Sequence, residues 1–281
     1  MVRKLVALPF LMACLVAAAA FAETPAQKAD TPAKPEAPAK AVAPDVLVVG
    51  DSQAQGVAGA LIRRYLRSKD FHVIDRSKIG TGLTSKSTYD WDAVVAGLAT
   101  TEHAKVAVVM FGANDRPPVR IKGVVDPALS EKFSKSYGAR VEKIVKSLRD
   151  AKIDVVWLGD PVVKDADYSA DMQMLNQVME PAAEKEGAQW VSLWDLGVDP
   201  DGSYDAFGKA LDGQTKRLRA DDGVHFTPSG YDLIAARLDP ILKTLTTAQP
   251  VASTPAPAPP PGAKASADAP PVVQPAAAIT Q

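Results

Sequence analysis

The chain of 281 residues carries 32 basic and 33 acidic side chains, a formal net charge of −1, and 47% of its residues are hydrophobic. With both signs interspersed, that balance offers no basic strip for nucleic acid or for an anionic membrane surface. A single cysteine, Cys14, excludes a disulfide framework within the chain, and three histidines limit the candidates for a general base.

Met1 to Ala22 has basic Arg3 and Lys4, an uncharged run from Leu5 to Phe21, and the small-x-small pattern Ala20-Phe21-Ala22. These are the parts of a secretory signal peptide cleaved near Ala22, and the run is short for a membrane span of roughly 20 residues. Cys14 follows too short an apolar stretch to be favoured as a lipid acceptor. Cleavage predicts a periplasmic or otherwise secreted protein with no cysteine and no membrane insertion. Residues 23–44 form a Pro/Ala/Lys-rich linker with Pro-Ala-Lys at 32–34 and 38–40, and residues 248–281 a second Pro/Ala-rich segment. Neither can bury enough apolar surface to offset its ordering entropy. The domain is expected over 45–247.

Within it, hydrophobic patterning alternates between strand and helix. The strands fall at Val46–Val49, Phe71–Ile74, Ala104–Phe111, Ile153–Leu158 and Gln189–Leu193. Helical spacing runs over 53–68, 89–99, 127–151, 171–186 and 228–245. The β-branched runs are continuous rather than alternating, as in strands buried on both faces. The expectation is a flavodoxin-like three-layer α/β/α sandwich with a central parallel sheet of about five strands. Right-handed crossovers bring every strand's carboxyl end to one edge, where open α/β folds place their ligands.

That edge collects the residues capable of chemistry. Ser52 follows Gly50-Asp51 where the first strand turns into a helix, a position suited to a nucleophile and equally to a helix N-cap. Asn114, in Gly112-Ala-Asn-Asp115, could donate to an oxyanion or close an Asx-turn. Arg116 could pair an anionic substrate group, or bind Asp115 or Asp160 as a structural ion pair. In Asp222-Gly-Val-His225 the carboxylate can orient one ring nitrogen while the other acts as base, although a lone Asp-x-x-His is also an ordinary turn. His72 and His103 read as packing or surface residues.

Taken together, Gly50-Asp51-Ser52, a second-loop glycine in Ile79-Gly80-Thr81-Gly82-Leu83-Thr84, Gly112-x-Asn114-Asp115 and Asp222-x-x-His225 resemble the SGNH (GDSL-type) hydrolase superfamily. The four blocks span about 45–245 in the family's order. The segments Asp195 to Gly208, Leu211 to Gln214 and Leu218 to Thr227 are similar to its periplasmic branch DUF459. The resemblance implies Ser52 as nucleophile, His225 as base and Asp222 as its orienting acid. It implies an oxyanion hole formed by the Ser52 and Gly82 backbone N–H groups and the Asn114 amide, with Gly80 the alternative glycine. No metal or organic cofactor is implied. The substrate class is an acyl ester, with acetylated envelope carbohydrate the leading candidate and Arg116 a candidate substrate contact. An O-acetyltransferase acting on an envelope glycan and a non-catalytic envelope-binding protein are the alternatives. Where the family often has leucine after the serine, this chain has Gln53.

Overall fold

A computed structural model describes residues 43–68, 70–84, 88–121 and 124–247. The expected signal peptide, the linker up to residue 42 and the tail from residue 248 lie outside the described residues.

The central sheet has five parallel strands: β1 (Asp45–Gly50), β2 (His72–Asp75), β3 (Val106–Met110), β4 (Asp154–Leu158) and β5 (Gln189–Val191), in the spatial order β2-β1-β3-β4-β5. This is the flavodoxin-like order, with β1 and β3 adjacent at the point where the direction of winding reverses. Five helices cover it: α1 (Ser52–Tyr65), α2 (Trp91–Thr101), α3 (Pro127–Asp150), α4 (Ala166–Lys185) and α5 (Pro228–Thr247).

Successive strand residues point to opposite faces, and the two cores divide accordingly. Leu47, Val49, Ala107, Val109, Val155 and Trp157 pack against α2, α3 and α4. Val46, Val48, Val106, Val108, Val156 and Leu158 pack against α1 and α5. Because both faces are covered, the apolar runs continue through β1, β3 and β4. Burying each such Val or Leu fully contributes about 1.5–3 kcal/mol.

Among the described residues, the five strands of the central sheet and the five helices match the expected ones in order, with shifts at the ends. Helix α4 begins at Ala166 rather than 171, because the Asp165 side chain caps it by accepting from Tyr168 N, and its polar first turn lacks apolar periodicity. Among the described residues two small antiparallel strand pairs, Arg120–Ile121 with Val124–Val125 and Phe207–Lys209 with Thr215–Arg217, carry no sequence pattern long enough to predict.

Candidate active site

β1 ends in a turn that only glycine can make. Gly50 has φ +147°, and a Cβ there would lie 1.9 Å from the Met110 carbonyl oxygen of the neighbouring strand. The turn delivers two residues with distinct tasks. Asp51, fully buried, is the N-cap of α1, its Oδ1 accepting from Gln53 N at 2.8 Å. Ser52 is the first helical residue, so the capping role considered for it belongs to Asp51. Its hydroxyl instead meets His225, with Oγ 2.7 Å from Nε2.

His225 sits at the end of a turn fixed by Asp222. One carboxylate oxygen of Asp222 accepts from Val224 N at 2.8 Å and from His225 N at 2.9 Å, while the other lies 2.7 Å from His225 Nδ1. Burial acts to raise the Asp222 pKa, but those two backbone hydrogen bonds and the histidine outweigh it and hold the carboxyl below its ordinary value. The acid is therefore an anion facing the ring nitrogen it would orient. Gly223 has φ +71°, and a Cβ there would lie 2.5 Å from Lys164 Cβ, so the turn docks closely against the loop after β4. Lys164 N donates to Gly223 O at 2.9 Å in the same contact.

The third component comes from the loops after β2 and β3. Asn114 Nδ2 donates to Thr81 O at 2.9 Å, the carbonyl of the peptide unit whose N–H belongs to Gly82. Thr81 is anchored in turn, its hydroxyl donating to Lys78 O at 2.6 Å and accepting from the buried Trp91 Nε1 at 2.9 Å. Among the described residues, neither Ser52 N–H nor Gly82 N–H has an intramolecular acceptor. Gly82 is buried and a Cβ on it would lie 2.3 Å from Asp115 Oδ1, whereas Gly80 is exposed, with open space around it and φ +70°.

Asp115, expected only as a member of the Gly112-x-Asn114-Asp115 block and as a possible partner of Arg116, shapes the site instead by holding the Gly82 loop. Fully buried, it accepts from Leu83 N and Thr84 N at 2.8 Å, from Thr84 Oγ1 at 2.7 Å and from Tyr137 Oη at 2.9 Å. It thereby ties the Gly82 loop to the end of β3. Its place beside Asn114 in the Gly112-Ala-Asn-Asp block is the signal that could have found it. Arg116, expected to pair with Asp115 or Asp160 if structural, pairs with neither. Its Nε donates to the buried Asp171 carboxylate at 2.8 Å, its guanidinium lies 4.7 Å from the centre of the Tyr168 ring, and its side chain remains 50% exposed. The arginine instead reaches across to α4.

Two further carboxyls lie beneath the site. Asp51 is pushed up to about 7, chiefly by burial and also by nearby Asp115, and Asp160 is pushed well above the usual carboxylate range by burial, Asp51 and Asp115. Among the described residues, one oxygen of each has no hydrogen-bond partner. His72 is exposed and pairs with Asp45, and His103 sits just past α2, so neither joins the Ser52 cluster. A groove of about 380 Å³ opens beside Ser52 and His225, bounded by α1 at Gln55, Gly56, Gly59 and Arg63 and by Phe226, Pro228 and Tyr231.

The fold has counterparts among solved structures. A GDSL-like lipase from Bacteroides thetaiotaomicron superposes with a TM-score of 0.51 at 16% identity, covering 71% of this chain and 88% of that one. A protein from Slackia heliotrinireducens with a proposed SGNH hydrolase assignment gives 0.50 at 18% identity, covering 71% and 99%. A proposed acylhydrolase from Bacteroides fragilis gives 0.50 at 18% identity, covering 72% and 88%. At these identities the likeness establishes the shared fold. No curated protein matches the chain in sequence. Residues 45–240 match the family described as protein of unknown function DUF459. That match spans the whole sheet and every residue of the Ser52 cluster, so the chain is a member of the DUF459 family, built on the SGNH hydrolase fold.

Proposed function

We propose that the protein is a secreted serine esterase of the SGNH type that hydrolyses acyl esters, with acetyl esters on cell-envelope carbohydrate the leading substrates. The observation that carries this reading is the continuous line of contacts from Ser52 Oγ to His225 Nε2 and from His225 Nδ1 to Asp222, each 2.7 Å long. A serine hydroxyl is a weak nucleophile until a base takes its proton as it attacks. His225 takes that proton, and the Asp222 anion stabilises the imidazolium formed.

The tetrahedral intermediate places negative charge on the former carbonyl oxygen. The Ser52 and Gly82 N–H groups, free of acceptors among the described residues, and the Asn114 amide are the proposed donors to it. Asn114 is engaged with Thr81 O and has a second amide hydrogen to offer. Collapse expels the alcohol, protonated by His225, and leaves an acyl-Ser52 that water releases by the same route in reverse. Arg116 is the proposed contact for an anionic substrate group, which its half-exposed guanidinium supports.

The secretory leader expected over Met1 to Ala22 supports an envelope location, and sequencing the amino terminus of the protein recovered from a periplasmic fraction tests it. The activity is tested on the mature protein with p-nitrophenyl acetate and with a fluorophosphonate probe. Turnover together with a label on Ser52 is expected, and failure of both rejects the esterase. With acetylated envelope glycan, release of free acetate marks hydrolysis, whereas acetyl appearing on a second sugar hydroxyl would mark a transferase.

A further inference from the structure

The carbonyl of Val224, the residue just before the base, is gripped twice. Gln53 Nε2 donates to it at 2.8 Å, and Arg219 Nη2 donates to the same oxygen at 2.8 Å. Gln53 directly follows the nucleophile, so one buried amide bridges the residue after Ser52 and the residue before His225. The Val224 carbonyl, an acceptor only, fixes the amide orientation, because a flipped Gln53 would set its own oxygen against it. Tyr231 Oη then donates to Gln53 Oε1 at 2.8 Å and holds the amide from the other end.

Arg219 is fully buried, and among the described residues no carboxylate pairs with it. A buried guanidinium without a counter-ion is costly unless its donors are used. Here they are directed at backbone: Nη1 to Val162 O at 2.5 Å in the loop after β4, Nη2 to Val224 O, and Nε to His225 O at 3.5 Å. The Phe226 ring lies 4.3 Å and the Tyr204 ring 5.1 Å from the guanidinium carbon. The planar fork thus joins the Asp222–His225 turn to the carboxyl edge of the sheet.

We propose that Gln53 and Arg219 are positioning residues that clamp the Val224 carbonyl from two sides and so keep His225 in register with Ser52. The proposal rests on the esterase reading for its kinetic consequence. Ser52 and His225 are 173 residues apart, and their contact depends on α1 and the 222–225 turn holding a fixed separation. The clamp links those two segments without passing through either reacting side chain. A leucine at position 53 would fill the space but donate nothing, leaving Tyr231 Oη without its acceptor and Val224 O with one donor. The glutamine is therefore a substitute for the usual apolar residue that adds a hydrogen-bonded constraint.

The test uses the full mature chain and the variants Gln53→Leu, Gln53→Glu, Tyr231→Phe and Arg219→Lys. Misplacing a catalytic group by about 1 Å can cost on the order of 10²-fold. Gln53→Leu should lower kcat for p-nitrophenyl acetate by roughly 10- to 100-fold, with KM changed less than about twofold. The rate of fluorophosphonate labelling at Ser52 should fall by the same factor. Gln53→Glu keeps the length and, assayed at alkaline pH where its carboxyl is ionised, loses the donor and should behave likewise. Tyr231→Phe keeps the ring and frees the amide, giving a smaller loss in the same direction. Arg219→Lys should also lower kcat selectively; if it fails to fold, the Gln53 variants decide. Wild-type kcat and labelling in folded Gln53→Leu or Gln53→Glu would overturn the clamp, as would losses that merely track the unfolded fraction. If the wild-type protein neither turns over nor labels, the esterase reading fails by itself. The clamp is then judged from the His225 ring N–H resonance, which should broaden and exchange faster in Gln53→Leu; an unchanged resonance would overturn it.

Discussion

Ser52 Oγ and His225 Nε2 meet at 2.7 Å although 173 residues of chain separate them. The neighbouring Asp51 takes the helix cap, its side chain accepting from Gln53 N, and so leaves the serine hydroxyl to the histidine. One turn therefore separates two roles that a serine at that junction could have combined.

Ser52→Ala should lower ester hydrolysis by roughly 10⁴- to 10⁶-fold, the range for losing a nucleophile whose base and oxyanion donors remain. The melting temperature should hardly change, because the cap belongs to Asp51. Steady-state kinetics beside a thermal melt measure both, and a large loss of stability would mean that Ser52 contributes to the helix terminus after all.

Asn114→Ala removes one proposed oxyanion donor and should reduce kcat by about 10²–10³-fold. It also removes the hydrogen bond to Thr81 O, so some loosening of the Gly82 loop should accompany it. Binding of a phosphonate that mimics the tetrahedral intermediate should weaken in parallel with kcat; undiminished affinity would remove Asn114 from the oxyanion hole.

The two candidate glycines respond to different constraints. Gly82→Ala places a methyl group 2.3 Å from Asp115 Oδ1 and should destabilise the fold by about 1–3 kcal/mol, the usual range for overpacking. Gly80→Ala meets open space but must hold φ +70°, which costs about 1–2 kcal/mol for a residue with a Cβ. Urea melts give both stabilities. Kinetics separate the roles, since only Gly82→Ala should depress kcat beyond what the folded fraction accounts for.

Asp51 makes stability depend on pH with a definite sign. Its carboxyl is raised from 3.8 to about 7, so between these values the folded protein retains a proton that the unfolded chain releases. The folded state then binds more protons, and this contribution to stability is lost as pH rises from about 4 to about 7. Asp51→Asn keeps an oxygen to accept from Gln53 N and removes the titration. Thermal melts across that window should show the variant gaining on the wild type as pH rises, and parallel curves would refute this account of Asp51.

The sheet was legible in the sequence because strands buried on both faces must be apolar throughout, as Val46 to Val49 and Val106 to Met110 are. Helix termini were less so: Asp165 starts α4 through a cap contact that no hydrophobic period encodes. The pairings of Arg120–Ile121 with Val124–Val125 and of Phe207–Lys209 with Thr215–Arg217 involve strands of two or three residues, too short for any pattern.

For the site, sequence by itself determined which residues stand at the carboxyl edge, since strand polarity and right-handed crossovers place Ser52, Gly82 and Asn114 there. Two glycine-bearing turns, Gly50-Asp51-Ser52 and Asp222-Gly-Val-His225, were also written locally. Only the tertiary structure decided which partner each acquired. Asp115 rather than Arg116 braces the Gly82 loop, Arg116 reaches Asp171, and Gln53 and Arg219 converge on one carbonyl. Except for Arg219 with Val224, five residues apart, those contacts join segments dozens of residues or more apart, and their energies depend on burial and on competing donors that exist only once the layers have closed. A polar residue such as Gln53 reads in one dimension as a departure from a motif; in the folded chain the same departure supplies a donor that the usual leucine lacks.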